Sequence, residues 1–179
     1  MAARHGVGML ALEKPMATSL QEAWSIIRLC REYGIRGAVC HQHKYLTSMQ
    51  KLKEIVASGD IGEVLLITAS CQAGLMQLGT HFVDYTLWLN GGDRAQWVVG
   101  HVHGRGLLGD SHPSADYTMG QMEFANGVRA ICEFGRLSAS HMTADKYWVN
   151  NRLTAHGTHG YAWAETDGRW GAFTRSSQG

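Results

Sequence analysis

Asp116-Tyr-Thr-Met-Gly-Gln-Met-Glu-Phe124-Ala125-Asn126-Gly127-Val128-Arg-Ala-Ile-Cys-Glu-Phe134-Gly-Arg136 is the stretch that decides the fold. Two strand-like runs, 116–125 and 127–136, meet at Asn126-Gly127, a dipeptide that predicts a hairpin of the two-residue type. Further strand-like segments at 96–103, 146–155 and 160–165 are set off by Gly, Asn, Asp and Pro, with no helical pattern between them. Successive hairpins without helices predict a largely antiparallel sheet.

Upstream the pattern is different. Val7 to Leu12 reads as a short buried strand broken at Pro15. Thr18 or Ser19 can cap a helix, with Glu22 at the capping-box spacing from Ser19. Ala23, Ile26, Ile27 and Cys30 recur at helical intervals, Gly34 stops the helix, and Ile35 to Cys40 forms a second strand. Such a βαβ unit belongs to a parallel sheet. A second helix is predicted over Thr47–Ala57, with Met49, Leu52, Ile55 and Val56 inward and a C-cap at Ser58-Gly59. Glu63 to Cys71 is a strand, and Thr80 caps a third helix over His81–Leu89. The fold class is α/β running into α+β.

The chain has 179 residues, 45% apolar and 17% charged, which suits one domain or slightly more with a packed core. A net charge of +1 and the lack of a basic run exclude a general nucleic-acid footprint. The expected partner is a small molecule or another copy of the chain. Cys30, Cys40, Cys71 and Cys132 form no C-x-x-C pair, which points to reduced thiols and a cytoplasmic setting. No apolar run approaches the ~20 residues needed to cross a bilayer. Glu13-Lys14-Pro15 also interrupts the N-terminal apolar stretch before a signal peptide could form.

Several motifs taken in order resemble the Gfo/Idh/MocA (glucose–fructose oxidoreductase/inositol dehydrogenase) family. They are Glu13-Lys14-Pro15 at a strand end, then His41-Gln42-His43-Lys44-Tyr45 with Ser58-Gly59-Asp60-Ile61-Gly62-Glu63 a helix later. Gly79-Thr80-His81-Phe82-Val83-Asp84 follows, opening a helix that ends in Trp88-Leu89-Asn90-Gly91. Phe124-Ala125-Asn126-Gly127-Val128 and Ala155-His156-Gly157-Thr158-His159-Gly160 add weaker support. The resemblance implies residues 1–45 as the C-terminal remnant of a Rossmann domain and 46–179 as a substrate-binding and oligomerisation domain. That second part is a large open, mainly antiparallel sheet with helices on one face. It also implies a chain truncated at its N-terminus, with the glycine-rich phosphate loop that would precede residue 1 missing, and NAD or NADP as cofactor.

Lys14 lies at the carboxyl end of a parallel strand, where ligands bind in open α/β sheets. The resemblance gives it the substrate hydroxyl and the nicotinamide ribose, where its charge would stabilise a developing alkoxide. Glu13, Pro15 and His41 are the other residues expected beside the cofactor. His81, in the first turn of its helix, is the expected general base, kept neutral by the helix dipole. Asp84 could orient it or support the cap, and His43 and Tyr45 are expected at the substrate. The family commonly has an acid four positions before the histidine; here Gln77 stands there, able to hydrogen-bond a hydroxyl but not to act as a charged partner.

Gly104-Arg105-Gly106-Leu107-Leu108-Gly109 matches G-x-G-x-x-G but is followed by Asp110-Ser111-His112-Pro113 rather than a helix, so it reads as a loop. His41-x-His43 and His101-x-His103 lack a third placed ligand, and no metal is expected. The Trp residues at 88, 97, 148, 163 and 170 read as packing. Three functions compete: an NAD(P)-dependent oxidoreductase acting on a secondary hydroxyl of a sugar or cyclitol, a non-catalytic dimerising sheet module, and a His-rich metal-dependent hydrolase or isomerase. Apolar residues on both faces of 116–136 would favour dimerisation, and a polar outer face would count against it.

Overall fold

A computed structural model describes residues 2–106, 114–139, 141 and 146–177. The chain divides into two units, Met1–Gln42 and His43–Gly179.

In the first unit β1 (Met9–Leu12) and β2 (Arg36–Val39) pair in parallel, joined by α1 (Leu20–Glu32). Ser19 caps α1 as its spacing predicts, its hydroxyl accepting the Glu22 N–H at 3.2 Å. The return arm of the box reaches one residue further than expected. The Glu22 carboxylate accepts the Thr18 N–H at 3.0 Å and the Thr18 hydroxyl at 2.7 Å.

In the second unit the helices are α2 (Thr47–Ser58) and α3 (Thr80–Leu89). Its strands are β3 (Val64–Cys71), β4 (Ala95–His103), β5 (Tyr117–Phe124), β6 (Arg129–Phe134), β7 (Asn151–Gly157), β8 (Gly160–Ala164) and β9 (Trp170–Phe173). They form one seven-stranded sheet in the order β4-β5-β6-β3-β7-β8-β9. Only β3 and β6 run parallel; every other neighbour is antiparallel. The period-2 alternation of the central strands sets two faces. Ile67, Ala69, Cys71, Ala130, Cys132, Phe134, Leu153, Ala155, Ala162 and Ala164 are buried in one core with Met49 and Leu52 of α2 and Phe82, Tyr85 and Leu89 of α3. Helices therefore cover one face, as expected. Gly59 ends α2 in the left-handed conformation at φ 78°, which glycine adopts without strain. Lys53 of α2 donates to the Trp88 and Leu89 carbonyls, satisfying the C-terminus of α3.

Four local expectations need correction. The hairpin at Asn126-Gly127 has a three-residue loop, not two. Phe124 N–H donates to Val128 O at 2.9 Å and Gly127 N–H to Phe124 O at 3.0 Å, so only Gly127 (φ 81°) has to supply a left-handed residue. The segment expected as a strand from 146 begins with a 3-10 turn, Tyr147–Val149, and pairing starts only at Asn151. The Asn151 side chain ties that turn down, donating to Trp148 O and Thr166 Oγ1. Strand β9 was not expected; Glu165 N–H to Arg169 O and Gly168 N–H to Glu165 O close the turn that leads into it. Thr80 does not cap α3. A π-helical turn, Leu75–Gly79, runs directly into that helix, and Thr80 Oγ1 is buried inside it without a hydrogen-bond partner among the described residues.

All four cysteines are free thiols. Among the described residues no helix is long and apolar enough to cross a membrane. The glycine-rich stretch at 104–109 lies partly outside the described residues; Gly104 and Gly106 follow β4 with positive φ.

Candidate functional site

The first unit brings its expected residues to one edge. Because β1 and β2 are parallel, Glu13, Lys14 and Pro15 after β1 and His41 after β2 all leave the sheet at its carboxyl end. The Lys14–Pro15 peptide is cis. The turn from Glu13 to Ser19 contains no glycine and leads into the Ser19 cap of α1.

The second unit builds a cluster around His81. The π turn starts the helical segment at Leu75, which places His81 two turns inside it rather than at a free N-terminus. The dipole argument for its neutrality therefore does not hold, since that effect is confined to the first turn. Gly79 is required on packing grounds: a Cβ there would come within 2.8 Å of the Phe134 ring. The helix can thus press onto the end of β6.

His81 is 2% exposed. Its ring lies 5.3 Å from that of His43 in a stacked arrangement and 5.9 Å from that of Tyr85. Tyr85 Oη sits 3.2 Å from His81 Nδ1, as the i, i+4 spacing on one helix face allows. Tyr85 is fully buried, and burial pushes its pKa up, with the nearby Asp84 charge adding to the effect. The His43 backbone N–H, hydrogen-bonded to the phenol oxygen, opposes that rise. Asp84 is held by Lys44, whose Nζ lies 2.8 Å from Oδ2 in a half-buried pair.

Of the residues expected at the substrate, His43, His81 and Asp84 are thus drawn together, with Lys44 beside them. Gln77 lies in the π turn, its Oε1 3.5 Å from the Tyr147 hydroxyl, and the Arg136 guanidinium stacks 4.9 Å above the Tyr147 ring. Tyr45 stands 76% exposed, outside the ring stack. The sequence reading missed Tyr85, Tyr147 and Arg136. Helical spacing from His81 could have found Tyr85, whereas nothing in the pattern around Tyr147 or Arg136 ties them to Gln77. Among the described residues no group of three His, Cys, Asp or Glu side chains could hold a metal ion.

The uncovered face of the sheet carries a second set of polar residues. Tyr117 donates to Glu133 Oε1 at 2.6 Å, and its own pKa is pushed up to about 12, chiefly by that carboxylate. His156 Nε2 lies 3.2 Å from Thr68 Oγ1, and His141 Nε2 lies 2.5 Å from Ser70 Oγ. Burial pulls both imidazoles below their ordinary pKa; for His141 the Arg152 charge adds to the effect.

Residues 49–163 match the model of the GFO/IDH/MocA C-terminal domain. A 2,7-anhydro-N-acetylneuraminate hydratase of Mediterraneibacter gnavus is 26% identical over 89% of this chain and 45% of its own length. A D-apiose dehydrogenase of Rhizobium rhizogenes is 29% identical over 57% of this chain and 32% of its own length. The chain thus spans less than half the length of either relative. Among solved structures, an oxidoreductase of Agrobacterium radiobacter in complex with NAD+, L-tartaric acid and magnesium superposes with a TM-score of 0.79. It is 20% identical, covering 98% of this chain and 54% of the other.

Proposed function

From the premise that the chain belongs to the GFO/IDH/MocA family, we propose that it serves an NAD(P)-dependent oxidoreductase acting on a secondary hydroxyl of a sugar or cyclitol. The observation that carries this reading is the cluster of His81, His43, Tyr85 and the Lys44–Asp84 pair at the start of α3. The names of the hydratase, the apiose dehydrogenase and the NAD+-bound oxidoreductase support the substrate class and the cofactor.

The bound nicotinamide would supply the hydride chemistry. Lys14, Glu13, Pro15 and His41, at the carboxyl edge of β1 and β2, suit its ribose and ring end rather than its pyrophosphate. In the first unit Lys14 offers a cation to an oxygen that gains charge as hydride leaves its carbon; in the second, His81 offers a ring nitrogen to a substrate hydroxyl. Gln77, held near Tyr147, takes a neutral hydroxyl where an acid would take a charged partner.

The test is ligand-detected NMR with NADH and NADPH, which registers weak contacts, on the chain and on Lys14→Ala. Saturation transfer to the nicotinamide ring protons that Lys14→Ala abolishes would support the reading. Transfer that is equal in both proteins, or absent from both, counts against it.

The pairing of copies through the open sheet belongs to the same proposal. The outer face of β5 and β6 sets Met119 and Ile131 beside Gln121, Glu123, Arg129 and Glu133. Trp97, Val99, Tyr161 and Phe173 on the flanking strands are exposed and apolar. Sedimentation of Val99→Arg beside the unaltered chain tests it: a dimer that becomes a monomer supports the pairing, and an unchanged state rejects it.

A further inference from the structure

We infer that Tyr85 is a positioning residue that donates its hydroxyl hydrogen to Nδ1 of His81, holding the neutral imidazole with its own proton on Nε2. The inference rests on the oxidoreductase reading only for its consequence, not for its geometry.

The argument starts from the phenol. Tyr85 is fully buried, and a buried hydroxyl must place its one hydrogen on an acceptor. Its oxygen already accepts a backbone N–H from His43. The acceptor within reach is His81 Nδ1, 3.2 Å away and one helical turn earlier. If Nδ1 carried the proton instead, the Tyr85 oxygen would accept twice and its hydrogen would lose the acceptor that stands 3.2 Å away. That costs the desolvation of a buried donor. The arrangement that satisfies the His43 N–H and the Tyr85 hydroxyl together is His43 N–H to Tyr85 O and Tyr85 O–H to His81 Nδ1, which leaves the imidazole proton on Nε2.

This changes the chemistry available to His81. A nitrogen that already holds a hydrogen has no lone pair with which to take a proton from an alcohol. Giving that hydrogen away would require the Tyr85 proton to pass to Nδ1 and leave a buried phenolate, which burial and the Asp84 charge both disfavour. His81 would then meet the reacting oxygen as a neutral hydrogen-bond donor. As a donor it can hydrogen-bond and polarise a substrate carbonyl oxygen.

The experiment is long-range proton–nitrogen NMR on the chain with 15N-labelled histidine, with His81→Asn to assign the ring signals. The expected result is Nε2 at a protonated, pyrrole-type shift and Nδ1 at a pyridine-type shift displaced by hydrogen bonding. In Tyr85→Phe the Nδ1 signal should move to the position of an unbonded pyridine-type nitrogen. A protonated Nδ1 in the unaltered chain, or an Nδ1 shift that Tyr85→Phe leaves in place, overturns the inference. Should Tyr85→Phe fail to fold, the tautomer of the unaltered chain decides alone. No cofactor is present in this experiment. A failure to bind nicotinamide would therefore sink the functional reading and leave this one standing, and the wrong tautomer would do the reverse.

Discussion

The two units are built from the same kinds of residue and reach very different degrees of burial. In the second, Phe82, Tyr85, Met49, Leu52, Ile61, Ile67 and Leu153 are all sealed from solvent. In the first, no residue of α1 is buried, Trp24, Leu29 and Tyr33 are exposed, and among the described residues of that unit only Ile35, 9% exposed, is buried. Two strands and one helix have too little surface to enclose an apolar centre, whereas seven strands under two helices have enough. The difference teaches where stability resides. The second unit can hold a fixed side-chain geometry around His81. The first holds its edge residues on a lightly packed frame, which belongs at the low-stability end of local opening.

The sharpest way to break this contrast is through the core. Phe82→Ala removes a ring packed edge-on against Tyr85 at 5.4 Å and should lower unfolding stability by about 3–5 kcal/mol, read as the denaturant midpoint. A loss below about 1 kcal/mol would mean that the second unit is no better packed than the first. Glu165→Gln ranks next. This fully buried carboxylate accepts from Arg152 Nη2 and Nε at 2.6 and 2.8 Å, and also pairs with Arg169. Removing its charge should cost about 1.5–3 kcal/mol, the range for hydrogen bonds to charged groups. Arg152 also stacks on Trp163 at 4.2 Å, so the substitution should loosen the sheet edge and change the tryptophan fluorescence.

How much of this was legible in the sequence follows the same division. Local signals account for several element ends, although the Asn126-Gly127 dipeptide makes a three-residue loop rather than the two-residue turn it predicts. Ser19 with Glu22 set the start of α1, Gly59 set the end of α2, and the order of strands from 96 onward gave the sheet. Where structure depends on partners distant in the chain, local pattern misled. Thr80 has the chemistry of a cap, yet Gly79 lets the chain press against Phe134 and the helix begins earlier, as a π turn. Tyr147 and Trp148 have strand propensity, yet Asn151 bonds across to Thr166 and turns the segment. The parallel β3–β6 pair at the sheet centre joins segments some sixty residues apart, which no hairpin rule anticipates. At the site, spacing placed His81 and Asp84 on one helix but did not show that Asp84 is taken by Lys44. Tyr85 lies one turn on from His81, where helical spacing could have found it.

Acid provides a smaller perturbation confined to the second unit. The pKa of His156 is lowered from an ordinary 6.5 by burial, so the unfolded chain binds its proton more readily than the folded one. Stability then rises with pH wherever the unfolded state carries more protons. The contribution is complete above about pH 6.5 and is lost as the pH falls toward the lowered folded value. His156→Gln keeps a hydrogen-bonding group near Thr68 and should flatten that decline. A decline that is identical in the variant would assign it to other groups, His141 first among them.

The smallest effect is the most discriminating. Ser19→Ala removes the side-chain acceptor for the Glu22 N–H and should destabilise α1 by about 1 kcal/mol, which speeds its amide exchange about fivefold. Nothing in that change touches the core around Phe82, so amides of β3, β6 and β7 should keep their protection. Should those central strands speed up by the same factor, the two units open together, and the thin packing of α1 is then compensated by cooperativity with the second unit. Unequal exchange would locate the boundary near Gln42 in energetic terms as well as geometric ones. It would also place the Lys14 edge on the part of the chain that opens first, so a ligand there would be expected to slow exchange in α1 as it binds.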